Sequence, residues 1–307
     1  MEKLIHFSLI HKNLGLLQNY RRLRESIEAM SISCSCEELR AYLREQEPFF
    51  FREVCERPST LQRESEELTR LKNRGVNFTY IGESSYPISF HNMPGAPLFL
   101  SYRGHPTWLR GKSLAVVGSR DASQLSHLWM EESFAEFLRQ EKPVVVSGGA
   151  RGIDQMAHQL ALRNSCSTVV VLPSGLEFLY PKTLEAWQAK IIEGGGCLLS
   201  EYSYSEKMQK HFFHDRNRLI AGLGVMTLLV ESRRRSGSLL TAQKTLQLGK
   251  TVLIVPGHPC DNSHLGNLDL LSEGATPIRD AEELCMYFRS ELSLLSKFIP
   301  IASEIQF

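Results

Sequence analysis

The chain has 307 residues, 42% of them hydrophobic and 22% charged, with a net charge of +1. That length suits one large α/β domain with a small appendage, and the composition is that of a globular protein, not a disordered or fibrous one. The near-neutral charge excludes a uniformly basic molecule, so any site for a polyanion has to be local.

Seven scattered cysteines (Cys34, Cys36, Cys55, Cys166, Cys197, Cys260, Cys285) with no CxxC pair argue against both a disulfide framework and a zinc site. No run of 18 apolar residues and no signal-peptide pattern occurs, so no membrane partner is expected. A reducing cytoplasm is the expected location.

Residues 1–75 read as a helical accessory domain. Leu4, Phe7 and Ile10, then Leu14, Leu17 and Tyr20, then Leu39 and Leu43 recur at near-helical spacing, and Leu61, Leu68 and Leu71 mark a last helix stopped at Gly75. The cluster Arg21-Arg22-Leu23-Arg24 is either a solvated helix face or a contact to a nucleic-acid backbone. Val76–Ile81 alternates like a strand. Residues 84–104 are irregular, with Pro94 and Pro97 excluding a helix and Leu98–Leu100 left as a short strand.

From residue 114 strands and helices alternate. Strands are expected at Leu114–Val117, Val144–Val146, Ser167–Leu172, Cys197–Ser200, Val225–Val230 and Thr251–Val255. Helices are expected around Met130/Phe134/Phe137/Leu138, Ile153/Met156/Ala157/Leu160/Ala161, Leu184/Trp187/Ile191 and Leu239/Ala242/Leu246. This order predicts a Rossmann-like, doubly wound, mostly parallel sheet spanning residues 76–290, followed by a tail at 291–307.

In such sheets the ligand sits beyond the carboxyl ends of the strands. Those ends carry Gly118-Ser119-Arg120, Ser147-Gly148-Gly149-Ala150-Arg151-Gly152, Pro173-Ser174-Gly175, Glu201, Glu231 and Pro256-Gly257. Glycine turns leading into helices aim backbone N–H groups and the positive helix end at one spot, which suits phosphate. The amides of Gly118, Gly148, Gly149 and Gly152 are therefore expected to face an anion. Neither GxGxxG nor GxxxxGK[ST] is present, so a dinucleotide fingerprint or a P-loop is not claimed.

What does occur is an ordered set: VVGSR at 116–120, SGGARGID at 147–154, GLEFLYP at 175–181, LLSEY at 198–202, RNRLIAGL at 216–223, SGSLLTA at 236–242 and VPG at 255–257. Over about residues 80–280 this resembles the DNA-processing protein A family (DprA, also called Smf) of natural transformation. The resemblance implies a non-enzymatic protein that binds single-stranded DNA, protects incoming strands, dimerises and loads the RecA recombinase, with no cofactor or metal. It implies DNA contacts at Ser119, Arg120, Arg151, Lys182, Lys210, Phe213, Arg216, Asn217 and Arg218. The winged helix at the carboxyl end of many members is not expected here, because only about 20 residues follow Cys285.

The residues also allow other roles. At least one of Phe212 and Phe213 is expected in the core. Arg218 could pair with Glu201 or Glu231, and Asn217 could cap a helix starting at Leu219. Asp154 and His158 could form an acid–base pair, or Asp154 could bond its own turn. His211, His214 and Asp215 have a ligand-like spacing without a further partner cluster. Arg233–Arg235 either add an anion contact before the helix at Ser236 or keep a loop soluble. The rival function is binding or N-glycosidic hydrolysis of nucleoside monophosphates. That related group carries PGGxGTxxE, and SGSLLTAQ lacks its glutamate.

Overall fold

A computed structural model of the chain describes residues 1–14, 17, 20–29, 35–91 and 93–298. Among these residues nine strands form one sheet: β1 (Asn77–Tyr80), β2 (Phe99–Gly104), β3 (Ser113–Val117), β4 (Val144–Ser147), β5 (Thr168–Val171), β6 (Cys197–Ser200), β7 (Met226–Leu229), β8 (Val252–Ile254) and β9 (Thr276–Pro277). Their order across the sheet is β1-β2-β6-β5-β4-β3-β7-β8-β9. From β6 to β9 all pairings are parallel, while β1 and β2 add antiparallel strands at the β6 edge. The fold is α/β, and the β-branched runs of β3, β4 and β5 are buried on both faces, as parallel strands are.

The amino-terminal helices are α1 (Glu2–Lys12), α2 (Tyr20–Ala29), α3 (Cys36–Gln46), α4 (Pro48–Phe50) and α5 (Pro58–Asn73). Phe7, Leu9 and Ile10 lie in the same core cluster as Phe99, Leu100 and Val146, and the Phe7 ring stacks on Tyr80 at 4.8 Å. Helices and sheet thus share one core. Arg24 is buried and donates to Phe90 O at 3.3 Å, so this member of the basic cluster is turned into the fold.

The crossovers are α6 (Gln124–Trp129) and α7 (Ala135–Glu141), joined by a π turn, then α8 (Ile153–Arg163), α9 (Gln188–Glu193), α10 (Phe212–Leu223) and α11 (Gly237–Gln247). The last described helices are α12 (Leu265–Ser272) and α13 (Ala281–Phe298). Residues 291–298 continue a helix whose Leu284 and Phe288 are buried; the rest of the expected tail, 299–307, lies outside the described residues. The leucines at 265, 268, 270 and 271 lie in α12, and Leu270 is buried in the core.

Helix α10 fixes the site. After β6 the chain returns across the sheet to place β7 beside β3, and α10 makes that crossing. It begins at Phe212, so Asn217 lies inside it and caps nothing. Among the described residues, no helix is long and apolar enough to cross a membrane.

Candidate nucleic-acid interface

Strand β3 has β4 on one side and β7 on the other. The winding reverses there, which opens a crevice at the carboxyl ends of the strands. A cleft of about 270 Å³ fills it, lined by Val117–Asp121, Ala150, Asp154, Phe213, Arg216, Asn217, Arg233 and Ser236–Ser238. Strand ends, the start of α8, the first turns of α10 and the amino end of α11 thus meet in one place.

The glycine turn is built for self-contact more than for open amides. Gly148 N and Ala150 N donate to Asp154 Oδ2 at 3.2 and 3.4 Å, and Ile153 N donates to Ser119 O at 3.1 Å. The expected anion cradle is therefore partly filled by the chain itself. A Cβ at Gly118 would lie 2.6 Å from Ile153, and one at Gly148 would collide with the Arg216 guanidinium. Gly152 has φ 84°, and a Cβ there would meet Ser119 O. Burial pushes the Asp154 carboxyl above its usual range, while the Arg216 charge and the turn amides pull it back.

The three residues of the RNR motif do different things. Arg216 is buried, with Nη1 donating to Val171 O at 2.9 Å, and burial lowers its pKa to about 10. Asn217 Nδ2 donates to Gly237 O at 3.2 Å, tying α10 to the start of α11. Arg218 pairs with Glu201, whose carboxyl is raised by burial against the pull of Arg218. Glu231 is not its partner; that carboxyl bonds Ser123 N and Ser126 Oγ.

Exposed and half-buried groups form the outer site. The Arg120 guanidinium lies over the Phe213 ring at 5.6 Å, and Phe213 meets Tyr180 edge-on at 5.4 Å. Phe212 is the core member of the pair, stacked on Tyr202 at 3.9 Å. Arg151 is exposed and paired with Asp121, with Nε donating to Arg120 O at 3.3 Å. Lys182 and Lys210 are exposed, outside the lining of the cleft. Arg233 lines the opposite wall, whereas Arg234 is held by both carboxylate oxygens of Asp269 at 2.6 and 2.8 Å. Sequence reasoning passed over Tyr180 and Phe178 as surface aromatics. Phe178 is 40% exposed with Lys207 over its ring at 5.4 Å, and the i, i+2 aromatics of GLEFLYP were the available signal.

The remaining combinations do not assemble. His158 Nδ1 lies 2.6 Å from Thr168 Oγ1, and Asp154 bonds its own turn. Among the described residues, the metal-sized group is Glu2, His6 and Cys36, on α1 and α3; His211, His214 and Asp215 do not form one.

A family model described as DNA recombination-mediator protein A matches residues 77–289. The chain is 34% identical over 206 residues to DNA processing protein DprA of Streptococcus pneumoniae, covering 67% of this chain and 72% of that one. It is 37% identical over 191 residues to protein Smf of Escherichia coli, covering 62% of this chain and 50% of that protein. Among solved structures, DprA of Streptococcus pneumoniae superposes with a TM-score of 0.65 at 28% identity, over 85% of this chain and 96% of that one. DNA processing protein A of Helicobacter pylori, described for its single-stranded DNA binding mode, superposes with a TM-score of 0.61 at 26% identity, over 71% and 96%.

Proposed function

The chain belongs to the DNA recombination-mediator protein A family, and from that premise we propose that it binds single-stranded DNA in the cleft between β3 and β7. In this reading it acts in the cytoplasm during natural transformation. It shields incoming strands as a homodimer and passes them to a RecA recombinase, with no chemical step of its own.

The observation that carries the reading is the Arg120–Phe213–Tyr180 arrangement at the mouth of the cleft. A cation beside solvent-reachable aromatic rings matches both halves of a single-stranded nucleotide. Phosphate takes the charge and the base takes a ring face, without either group reading sequence. When DNA enters, Arg120 turns to a phosphate and the ring face it covered receives a base. Arg233 on the facing wall, with Lys182 and Lys210 outside, extends the charge along the strand. The bound strand needs only position and charge, which fits a mediator better than a hydrolase.

A gel-shift comparison of one labelled sequence as single strand, as duplex and against excess mononucleotide tests this. The expected result is a strong shift of the single strand, a weak shift of the duplex, poor competition by mononucleotide and no released base. Preferential mononucleotide binding with release of free base would overturn it in favour of the N-glycosidic hydrolase.

A further inference from the structure

Glu231 follows β7 by two residues and is wholly buried. Its Oε2 accepts from Ser123 N at 2.8 Å and from Ser126 Oγ at 2.7 Å, both at the start of α6. Its Oε1 is buried without a hydrogen-bond partner. An unpaired buried polar atom is costly, so an acid kept in such a place calls for a reason beyond packing. The two ends that it joins supply one.

The β7 end is fixed. Asn267 Nδ2 donates to Leu229 O, Val230 O and Val255 O at 3.3, 3.0 and 2.8 Å, and Gly266 N donates to Ser232 O at 2.8 Å. The other end is the segment that carries Arg120, between β3 and α6. Ile153 N holds its first half through Ser119 O at 3.1 Å, and Glu231 holds its second half through Ser123. Arg120 sits between these two clamps, over Phe213. Arg233, two residues beyond Glu231, lines the opposite wall. One carboxyl group therefore ties the two walls of the cleft together.

We propose that Glu231 is a positioning residue: mounted on the pinned end of β7, it holds the start of α6 and thereby keeps Arg120 at the mouth of the cleft. It touches no DNA itself. The inference rests on the reading of this cleft as the single-stranded DNA site, and its test separates the two.

Full-length wild type, Glu231→Ala, Glu231→Gln, Arg120→Ala and the Glu231→Ala/Arg120→Ala double variant are titrated with oligo(dT) at several salt concentrations. Glu231→Ala is expected to lower affinity about tenfold, a typical size for a coupled neighbour, and to flatten the log K against log salt slope by about 0.7, the change also expected of Arg120→Ala. Added to Arg120→Ala, it should change nothing further. Glu231→Gln, whose amide oxygen still accepts from Ser123 and Ser126, should bind like wild type.

A loss additive with that of Arg120→Ala overturns the positioning role. So does wild-type binding by folded Glu231→Ala while Arg120→Ala binds weakly, and in both cases the cleft reading stands. If Arg120→Ala itself binds normally, the cleft reading has failed and the positioning role goes with it. Should Glu231→Ala not fold, Ser126→Ala removes one of the two donors; unchanged affinity and slope there overturn the proposal.

Discussion

His158 is wholly inside the fold, its Nδ1 2.6 Å from Thr168 Oγ1, and burial lowers its pKa from 6.5 to about 3. The unfolded chain then binds the extra proton first, so stability is lost as pH falls from about 6.5 toward 3. By about pH 4.5 this one group should cost ~2–3 kcal/mol. Thermal melts from neutral to acid pH should therefore fall more steeply in wild type than in His158→Gln; parallel curves would remove His158 from the account. Arg218 makes a second case. Replacing it by alanine leaves the buried Glu201 without its cation, an expected loss of ~1–3 kcal/mol after allowing for partial exposure. The salt slope of DNA binding in the folded protein should not change, and a flatter slope would restore Arg218 as a phosphate contact. Arg120 was legible because its strand-end position and its charge both pointed to the cleft, whereas Phe213, in the first turn of α10, was singled out only through the family resemblance. Arg216 was not legible. A cationic side chain reads as available in sequence, and only the packing over Gly148 and the bond to Val171 O reveal it as internal.

At the scale of elements, the parallel strands were readable from their apolar runs, whereas the strand order that opens the crevice beside β3 came only with the structure. Helix α10 was misread at its start. His211 gives no side-chain capping bond, so the sequence carries no start signal there, while Asn217 imitates one. Strand β9 has two residues, too few to show a period. Strand β2 extends past Leu100 to Gly104 through Ser101 and Arg103, whose polarity hides it. The β3–α8 junction yields a direct expectation. Gly152 holds φ 84° and a Cβ there meets Ser119 O and the Arg120 backbone. Gly152→Ala should therefore destabilise the protein by ~1–3 kcal/mol and weaken DNA binding by pushing the Arg120 segment outward. Urea denaturation together with oligonucleotide titration checks both effects. An unshifted midpoint would show that the close approach is not needed.

For the whole molecule, the shared core of α1 and the sheet edge means that a fragment starting at residue 76 would expose Tyr80, Phe99 and Leu100. The role of residues 1–75 is best probed by substitutions in the full chain. We place the face of the proposed homodimer in the carboxyl-terminal half. In α12, Leu270 is buried, while Leu265 and Leu268 are half-buried and offer apolar surface. Leu268→Asp should shift the sedimentation coefficient at micromolar concentration from dimer to monomer; a wild type already monomeric, with and without DNA, would contradict the assembly.

The cleft itself is tested most directly by titrating single-stranded DNA against wild type, Arg120→Ala and Phe213→Ala across a salt series, with folding checked by circular dichroism. Arg120→Ala should flatten the log K against log salt slope by about 0.7, the loss of one phosphate contact. Phe213→Ala should cost ~1–3 kcal/mol with the slope unchanged, and should matter least for an abasic strand. Two folded variants that both bind like wild type would contradict the account, because the guanidinium and the ring at the mouth of the cleft would then hold no DNA.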